Sequence, residues 1–461
     1  MQRVRAVTTG RRSRQMTKCT GRCAAFVLLM CAAACGGGGN GAAPADSKAA
    51  ARLACRFEAG ALPEETLGPE LPRGSEIPIE HIIVLMQENR SFDNYFGRLP
   101  AFGKRAVDGL PVHASNPDGN GSQVSAFHQD RYCTADTDHS WTGSHLEFSD
   151  GRNLAFVTQN NPGGERAMGY YDERDLPYYY ALATTFALGD RYFCSVLGPT
   201  FPNRSYLLAG TSFGHIRNDA VRFGQGTIFD LLEAHDISWK VYYNDLPYSA
   251  VLFGVSGPPH VVRFANFISD AAAGTLPQVS FVDAAMGLGR VELDEHPPAN
   301  IQQGEQFAAQ VTDAVLNSPN WPHAVLFITY DEHGGFYDHV GPPPACPPDE
   351  IAPMLDPNDP SSNFPAQFDR YGFRVPLLVV SPYAKPGFVS HTIYDHSSIL
   401  RFIETRYDLP ALTNRDANAT PLLDFFDFSH PALLNPAALP EAPVDAAQLE
   451  QCRADFPLQK Y

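Results

Sequence analysis

Basic residues are scarce in this 461-residue chain: 34 Lys and Arg stand against 51 Asp and Glu, a formal net charge of −17. The phosphates of nucleic acid call for Lys and Arg, so this balance argues against nucleic acid as a partner. Seven of the basic residues (Arg3, Arg5, Arg11, Arg12, Arg14, Lys18 and Arg22) fall within residues 1–34, which hold no acid. The rest carries 27 basic residues against 51 acidic, or −24. Long hydrophobic runs are also missing. The run over residues 24–34 is about half of the ~20 residues that a membrane span needs, and no other stretch is long enough. No cysteine pair shows the C-x-x-C spacing of a zinc site. Internal repeats and coiled-coil heptads are absent. The apolar fraction of 44% and charged fraction of 18% are ordinary for a globular protein, which excludes a disordered chain. The length leaves room for two domains or one large one.

The N-terminus has the pattern of an export signal. Basic residues up to Arg22 precede a short apolar run that ends in small residues. Ala32-Ala33-Ala34-Cys35, followed by four glycines, resembles a bacterial lipobox with Cys35 as the lipidated residue, although Ala32 sits where Leu is usual. Arg11-Arg12-Ser13-Arg14-Gln15 resembles a twin-arginine signal, and Met16 is an alternative start to Met1. The expected division is a signal peptide over residues 1–35, a flexible tether over 36–75 and one catalytic domain over 76–461. The exported product would be periplasmic, anchored in the outer membrane through Cys35, or secreted. Beyond the signal, Cys55, Cys133, Cys194, Cys346 and Cys452 remain, an odd number, so at least one stays free or pairs outside the chain. Chain ends are often close together, so Cys55 and Cys452 are the expected pair.

Short apolar runs at 81–86, 239–243, 279–282, 324–330 and 376–380 read as strands covered on both faces. Helical patterns at 178–186, 203–209, 227–234, 304–316 and 397–407 alternate with them, which points to an α/β sheet with helices on both faces. A further strand is expected over 190–196. Segments 95–125, 341–365 and 409–445 are rich in Pro and Gly and read as loops.

Two strands run straight into polar clusters. The first ends in Gln87-Glu88-Asn89-Arg90-Ser91-Phe92-Asp93, and the run at 324–330 ends in Asp331-Glu332-His333-Gly334-Gly335-Phe336-Tyr337-Asp338-His339-Val340. Ligands of open α/β sheets bind beyond the carboxyl ends of strands. Neighbouring ends would crowd Glu88, Asp331 and Glu332, and crowded acids repel unless a cation sits between them. Oxygen donors in that number suit calcium, magnesium or manganese, and a neighbouring histidine admits zinc or iron. Thr200 stands ahead of a helix expected from about Asn203, where free N–H groups favour an anion and a deprotonated hydroxyl. Asn203 and Arg204, at the start of that helix, are the expected phosphate binders. His139 with His145, His296, and the pair His391 and His396 form three histidine clusters that could donate protons or bind metal.

Together these segments resemble one family, the bacterial phosphoesterases that include non-haemolytic phospholipase C and certain acid phosphatases. The resemblance covers roughly residues 78–410. It is carried by residues 87–97, by Gly198-Pro199-Thr200-Phe201-Pro202-Asn203-Arg204, by Glu295-His296-Pro297 with Gly304-Glu305, and by residues 331–340 with Pro342-Pro343. It implies a three-layer α/β/α fold with a largely parallel central sheet, similar to alkaline phosphatase. It further implies that Thr200 is the nucleophile and is phosphorylated during turnover. Glu88, Asn89, Thr200, Asp331 and Glu332 would surround one divalent metal ion (Ca, Mg, Mn or Zn), with His139 and His296 at the phosphate and leaving group. His333 departs from the family pattern. The implied substrate is a phospholipid or a small phosphate ester. Export brings the enzyme near lipid, and Phe96, Phe102, Tyr170, Tyr171 and 178–180 could line an apolar rim or pack the core. The expected activity is that of a phospholipase C, with a broad acid phosphatase as the alternative; only about fifty residues follow position 410, without the long extension of the larger phospholipases C, which favours the alternative somewhat.

Overall fold

Runs of Val, Ile, Leu and Phe can be buried on both faces, and they form the centre of the molecule. The computed structural model describes residues 46–220 and 226–461. The strands of its large sheet, in chain order, are β1 (His81–Gln87), β2 (Ala187–Gly189), β3 (Trp239–Tyr243), β4 (Val261–Arg263), β5 (Val279–Asp283), β6 (Ala324–Tyr330), β7 (Leu377–Val380) and β8 (Val389–Ser390). They form one sheet in the order β8-β2-β7-β6-β1-β5-β3-β4. Only β7 runs against the rest. The helices that matter for the site are α1 (Trp141–Phe148), α2 (Thr200–Ala209), α3 (Ile301–Leu316), α4 (His396–Tyr407) and α5 (Ala446–Asp455). Helices α2 and α4 pack together on one face of the sheet, and α3 packs with the helix Pro177–Thr185 on the other. This is the expected three-layer α/β/α arrangement.

Register places the site. β1 and β6 pair in parallel from His81 with Ala324 to Gln87 with Tyr330, so the two strands end level. Glu88-Asn89 and Asp331-Glu332 therefore leave the sheet side by side. β5 flanks β1 on its other edge, which brings the loop between β5 and α3 out beside Glu88.

Several expectations need correction. Residues 190–196 are not a strand: β2 ends at Gly189, and beyond it only single bridges form, Tyr192 with Tyr394 and Phe193 with Arg374. The Arg374 guanidinium donates to the Asp190 carbonyl at 3.0 Å, so a side chain fills a place in the ladder. Helix α2 begins at Thr200 rather than near Asn203, because Pro202 in the first turn needs no N–H partner. The export signal, Cys35 and the tether up to residue 45 lie outside the described residues. From residue 46 on, the tether is not free. Arg52 is buried and donates to the Thr66 carbonyl, and Gly60 and Ala61 exchange backbone bonds with Ala411. The expected Cys55–Cys452 pair does not form. Cys55 is bonded to Cys346 and Cys133 to Cys452, while Cys194 is free and buried. Those bonds tie the N-terminal segment to the proline-rich excursion, and α5 to the segment ahead of α1. The described residues belong to one compact unit.

Peptide mapping of the oxidised protein, alkylated without reduction, should recover the Cys55–Cys346 and Cys133–Cys452 peptides. Cys194 should be alkylated only after denaturation. A Cys55–Cys452 peptide would contradict this topology.

Candidate active site

The two strand ends interlock. Asn89 sits at φ +64°, a left-handed conformation that Asn tolerates, and its N–H donates to Asp331 Oδ1 at 3.1 Å. The Gly334 N–H donates to Glu332 Oε2 at 2.8 Å. Gly334 is itself at φ +66°, and a Cβ there would lie 2.4 Å from the Asn89 carbonyl oxygen. Only glycine allows that approach. Glu88, Asn89, Asp331 and Glu332 are all buried. Burial pushes the Glu88 carboxyl up to about 8, and the charge of Asp331 adds to it against the pull of Arg204. Burial also pushes Glu332 up to about 8, opposed by His139 and helped by Asp331.

Three oxygens of this cluster have no hydrogen-bond partner: Asn89 Oδ1, Asp331 Oδ2 and Glu332 Oε1. Arg204 Nε stands 3.4 Å from Asp331 Oδ2 as an ion pair without hydrogen-bond geometry. Orphaned buried acceptors are costly, and three of them on adjoining segments fit a hard cation with oxygen ligands. A mixed donor group is close by: Asp136, His139 and His296 place one ligand atom each within 4.8 Å of one another.

Thr200, at the first position of α2 after Pro199, is 4% exposed. It lines a cavity of about 230 Å³ with Glu88, Phe201, Asn218, Tyr248, Met286, Glu292, Asp294 and His296. An adjoining cavity of about 310 Å³ includes Asp136, Thr137, His139, Pro199 and Asn218. Asn218 lines both, and its Oδ1 accepts the Phe201 N–H at 2.9 Å. The two expected phosphate binders do not line either cavity. The Asn203 side chain is consumed by the loop ahead of α2. It accepts from the Val196 N–H and donates to the carbonyls of Val196, Gly198 and Pro199. Arg204 is buried, donates to the Met86 and Gln87 carbonyls, and ion-pairs with Glu88 and Asp331. Its charge offsets the acid cluster, and its guanidinium lies over the Tyr248 ring at 3.7 Å.

The two histidines converge from separate loops, with ring centroids 5.7 Å apart. His139 Nδ1 lies 2.7 Å from the Thr137 carbonyl, and Asn89 Nδ2 lies 3.2 Å from His139 Nε2. Burial disfavours its charge, but Glu332 and Asp136 overcome that and raise it to about 9. His296 is carried by a loop anchored at its neighbour. The Glu295 carboxylate, fully buried at φ +76°, accepts from the hydroxyls of Tyr95, Tyr179 and Tyr330. It packs on Gly304 of α3, where a Cβ would fall 2.0 Å from Glu295 Cγ. This explains why Glu295-His296 and Gly304 occur together in the sequence.

Sequence reasoning missed three residues of the site, Glu292, Asp294 and Tyr248. Glu292 and Asp294 line the Thr200 cavity, and the Asp294 carbonyl accepts the Glu88 N–H at 2.7 Å. The alternation Glu292-Leu293-Asp294 before Glu295-His296 was a usable signal. Burial raises both carboxyls, Glu292 to about 7, and Asp294 is further raised by Glu88. Tyr248, whose helix carries no motif, gave no signal. His396 is buried, with Nε2 donating to the Asp331 carbonyl at 2.7 Å and Nδ1 accepting from the Tyr192 hydroxyl at 2.9 Å. His333 Nε2 lies 2.8 Å from the Glu147 carboxylate of α1. His391 pairs with Asp190, and His145 is buried against the Trp141 carbonyl, so neither joins the cleft.

The model of the Phosphoesterase family matches residues 79–410. The chain belongs to that family. Non-specific phospholipase C1 of Arabidopsis thaliana is 33% identical over 77% of this chain and 72% of its own length. Phospholipase C B of Mycobacterium tuberculosis is 32% identical over 81% of this chain and 82% of its own. Non-hemolytic phospholipase C of Pseudomonas aeruginosa is 31% identical over 81% of this chain, which spans 60% of that protein. Among solved structures, the phosphonate monoester hydrolase of Agrobacterium radiobacter shares 11% identity at a TM-score of 0.37, covering 78% of this chain and 79% of its own. The chain is a phosphoric ester hydrolase.

His396 makes stability depend on pH. Burial, with Arg204 adding, holds its imidazole down to about 3 against the bond to the Asp331 carbonyl; the ordinary value is 6.5. The unfolded chain then binds a proton that the folded chain refuses. This stabilisation is full above about 6.5 and falls as the pH drops toward 3. Urea unfolding should show the wild type losing about 2 kcal/mol more than His396→Gln between pH 7 and pH 5. Equal losses would contradict a neutral buried His396.

Proposed function

We propose that the chain is a metal-dependent phospholipase C that cleaves phospholipids through a phosphothreonine at Thr200. The observation that carries this reading is the set of orphaned oxygens on Asn89, Asp331 and Glu332, beside the cavity that Thr200 and Glu88 line. These residues, with Glu88, would hold one divalent ion. Such an ion would supply positive charge that lowers the pKa of the Thr200 hydroxyl and offsets charge on the phosphoryl group. Thr200 Oγ1, its proton already released to solvent, attacks phosphorus, the ester bond to the leaving alcohol breaks, and His296 gives that alcohol its proton. Water then attacks the phosphothreonine, the P–Oγ1 bond breaks to restore the Thr200 alkoxide, and His296 takes the proton that the water loses. His139 Nε2, facing the Asn89 amide nitrogen, holds that amide with its oxygen free for the ion.

Two things favour a lipid substrate. The relatives at about 32% identity are named phospholipases C. Exposed apolar side chains also lie on segments next to those that line the cavity. Of the expected rim residues, Phe96, Tyr171, Tyr178, Tyr179 and Tyr180 are core residues, and Phe102 is exposed but lines neither cavity. Leu288, two residues beyond Met286, is exposed, as are Ile351, Met354 and Leu355. That excursion packs on the segment ahead of Asn218, where Arg217 ion-pairs with Asp356 and Asp359. A broad acid phosphatase is the second reading, supported by a cavity of about 230 Å³ that suits a small ester. Export and attachment through Cys35 belong to the same proposal, since anchoring would keep the enzyme at a lipid surface.

Mature protein should be assayed after chelation with metals added back. One arm offers a choline phospholipid and follows diacylglycerol; the other offers an aryl phosphomonoester and follows phosphate. Diacylglycerol release that requires metal is expected, with Thr200→Ala lowering it by at least about a thousandfold while the fold is kept. Phosphate release alone would establish the phosphatase. Wild-type rates in Thr200→Ala would overturn the mechanism.

A further inference from the structure

We propose that helix α5 and the tail after it brace the two histidine-bearing loops, with Cys452, Gln459 and Tyr461 as positioning residues for proton transfer by His296. The inference rests on the phosphoesterase reading above and adds what holds its proton donor. Of the residues of α5, only Cys452 is buried. Apart from Leu449 and Cys452 its side chains are Ala or polar, so it has no apolar stripe to bury in the core. It is held instead by bonds to two segments. On one side, Cys452 is bonded to Cys133, and Gln448 Nε2 donates to the Asp130 carbonyl at 2.9 Å. That segment leads into His139, six residues beyond Cys133. On the other side, Asn300, four residues beyond His296, donates from Nδ2 to Cys452 Sγ at 3.4 Å. The two segments also meet directly, where the Ile301 N–H donates to the Tyr132 carbonyl at 3.1 Å.

The tail carries the second observation. Three consecutive residues each hold the loop between β5 and α3. Gln459 donates to the Glu292 carboxylate, Lys460 Nζ to the Gly289 carbonyl at 2.9 Å, and the Tyr461 hydroxyl to the Pro298 carbonyl at 2.9 Å. The loop needs holding, because Gly287 and Gly289, at φ +80° and +78°, add backbone freedom. His296 is bracketed as a result. Glu295 in its tyrosine cage precedes it, and Pro298, held by Tyr461, follows it. A general acid works only within hydrogen-bond reach of the leaving oxygen, and a misplacement of about 1 Å can cost about a hundredfold. A brace that spans both loops sets the gap between the His139 and His296 rings, whose centroids are 5.7 Å apart.

The test offers each transferred group with two leaving groups. A 4-nitrophenolate leaves without a proton, whereas an alkoxide needs one from His296. The pairs are 4-nitrophenyl phosphocholine with dihexanoyl phosphatidylcholine, and 4-nitrophenyl phosphate with ethyl phosphate. In the metal-loaded protein, Gln459→Ala combined with Tyr461→Phe should lower kcat/KM about tenfold more on the alkyl ester than on its nitrophenyl partner. Cys133→Ser combined with Cys452→Ser, which removes the other arm of the brace, should shift that ratio the same way. A ratio of substrates is insensitive to the folded fraction of each variant. Leu458→Ser, at a position 99% exposed, should leave the ratio unchanged. Equal losses on both leaving groups in both sets of variants, or no loss in either, would overturn the brace and leave the phosphoesterase reading standing. His296→Gln should show the largest loss specific to the alkyl ester. An equal loss on both leaving groups there would overturn His296 as proton donor, and the brace with it.

Discussion

Lateral pairing of β1 and β6, level at Gln87 and Tyr330, is the contact on which the site depends. It fixes two acidic dipeptides next to each other on a rigid base. The interlock of Asn89 with Asp331, and of Gly334 with Asn89, extends the pairing one turn beyond the sheet. The result is a dense cluster of carboxyl groups with oxygens that nothing among the described residues satisfies.

The surrounding residues are arranged to tolerate that patch. Arg204 rises from α2 to face Glu88 and Asp331, and His396 from α4 holds the Asp331 carbonyl as a neutral donor. His139 holds the Asn89 amide from the far side. The same helix that supplies Arg204 presents Thr200 at its first position, so the proposed nucleophile and the counter-charge share one rigid element. On the β5 side, the tyrosine cage around Glu295 keeps the His296 loop in a backbone conformation that a free loop would leave. Chemistry at Thr200 therefore draws on three layers of the fold.

Much of this was legible in the sequence. Residues 239–243 and 324–330 read as strands and are strands, because a continuous apolar run at a sheet centre has few other fates. The fold class and the family followed from motifs in fixed order. Arg204 and Asn203 were misjudged because sequence shows position along a helix but not which buried acceptors await the side chain. The aromatic segment 178–180 could be read as rim or core, and it is core: hydroxyls of Tyr179 and Tyr178 reach Glu295 and Asp313, and that pulls the rings inward. Disulfide pairing and the docking of residues 46–75 depend on distant partners, Cys346 and Ala411 among them, which local pattern does not reveal.

The central claim is that the oxygens at the two strand ends hold a cation. Anomalous diffraction from crystals soaked in manganese tests it most directly. The account requires a peak bonded to Asn89 Oδ1, Asp331 Oδ2 and Glu332 Oε1 at about 2.1–2.3 Å. A peak bound only by Asp136, His139 and His296, with the strand-end oxygens unliganded, would contradict it.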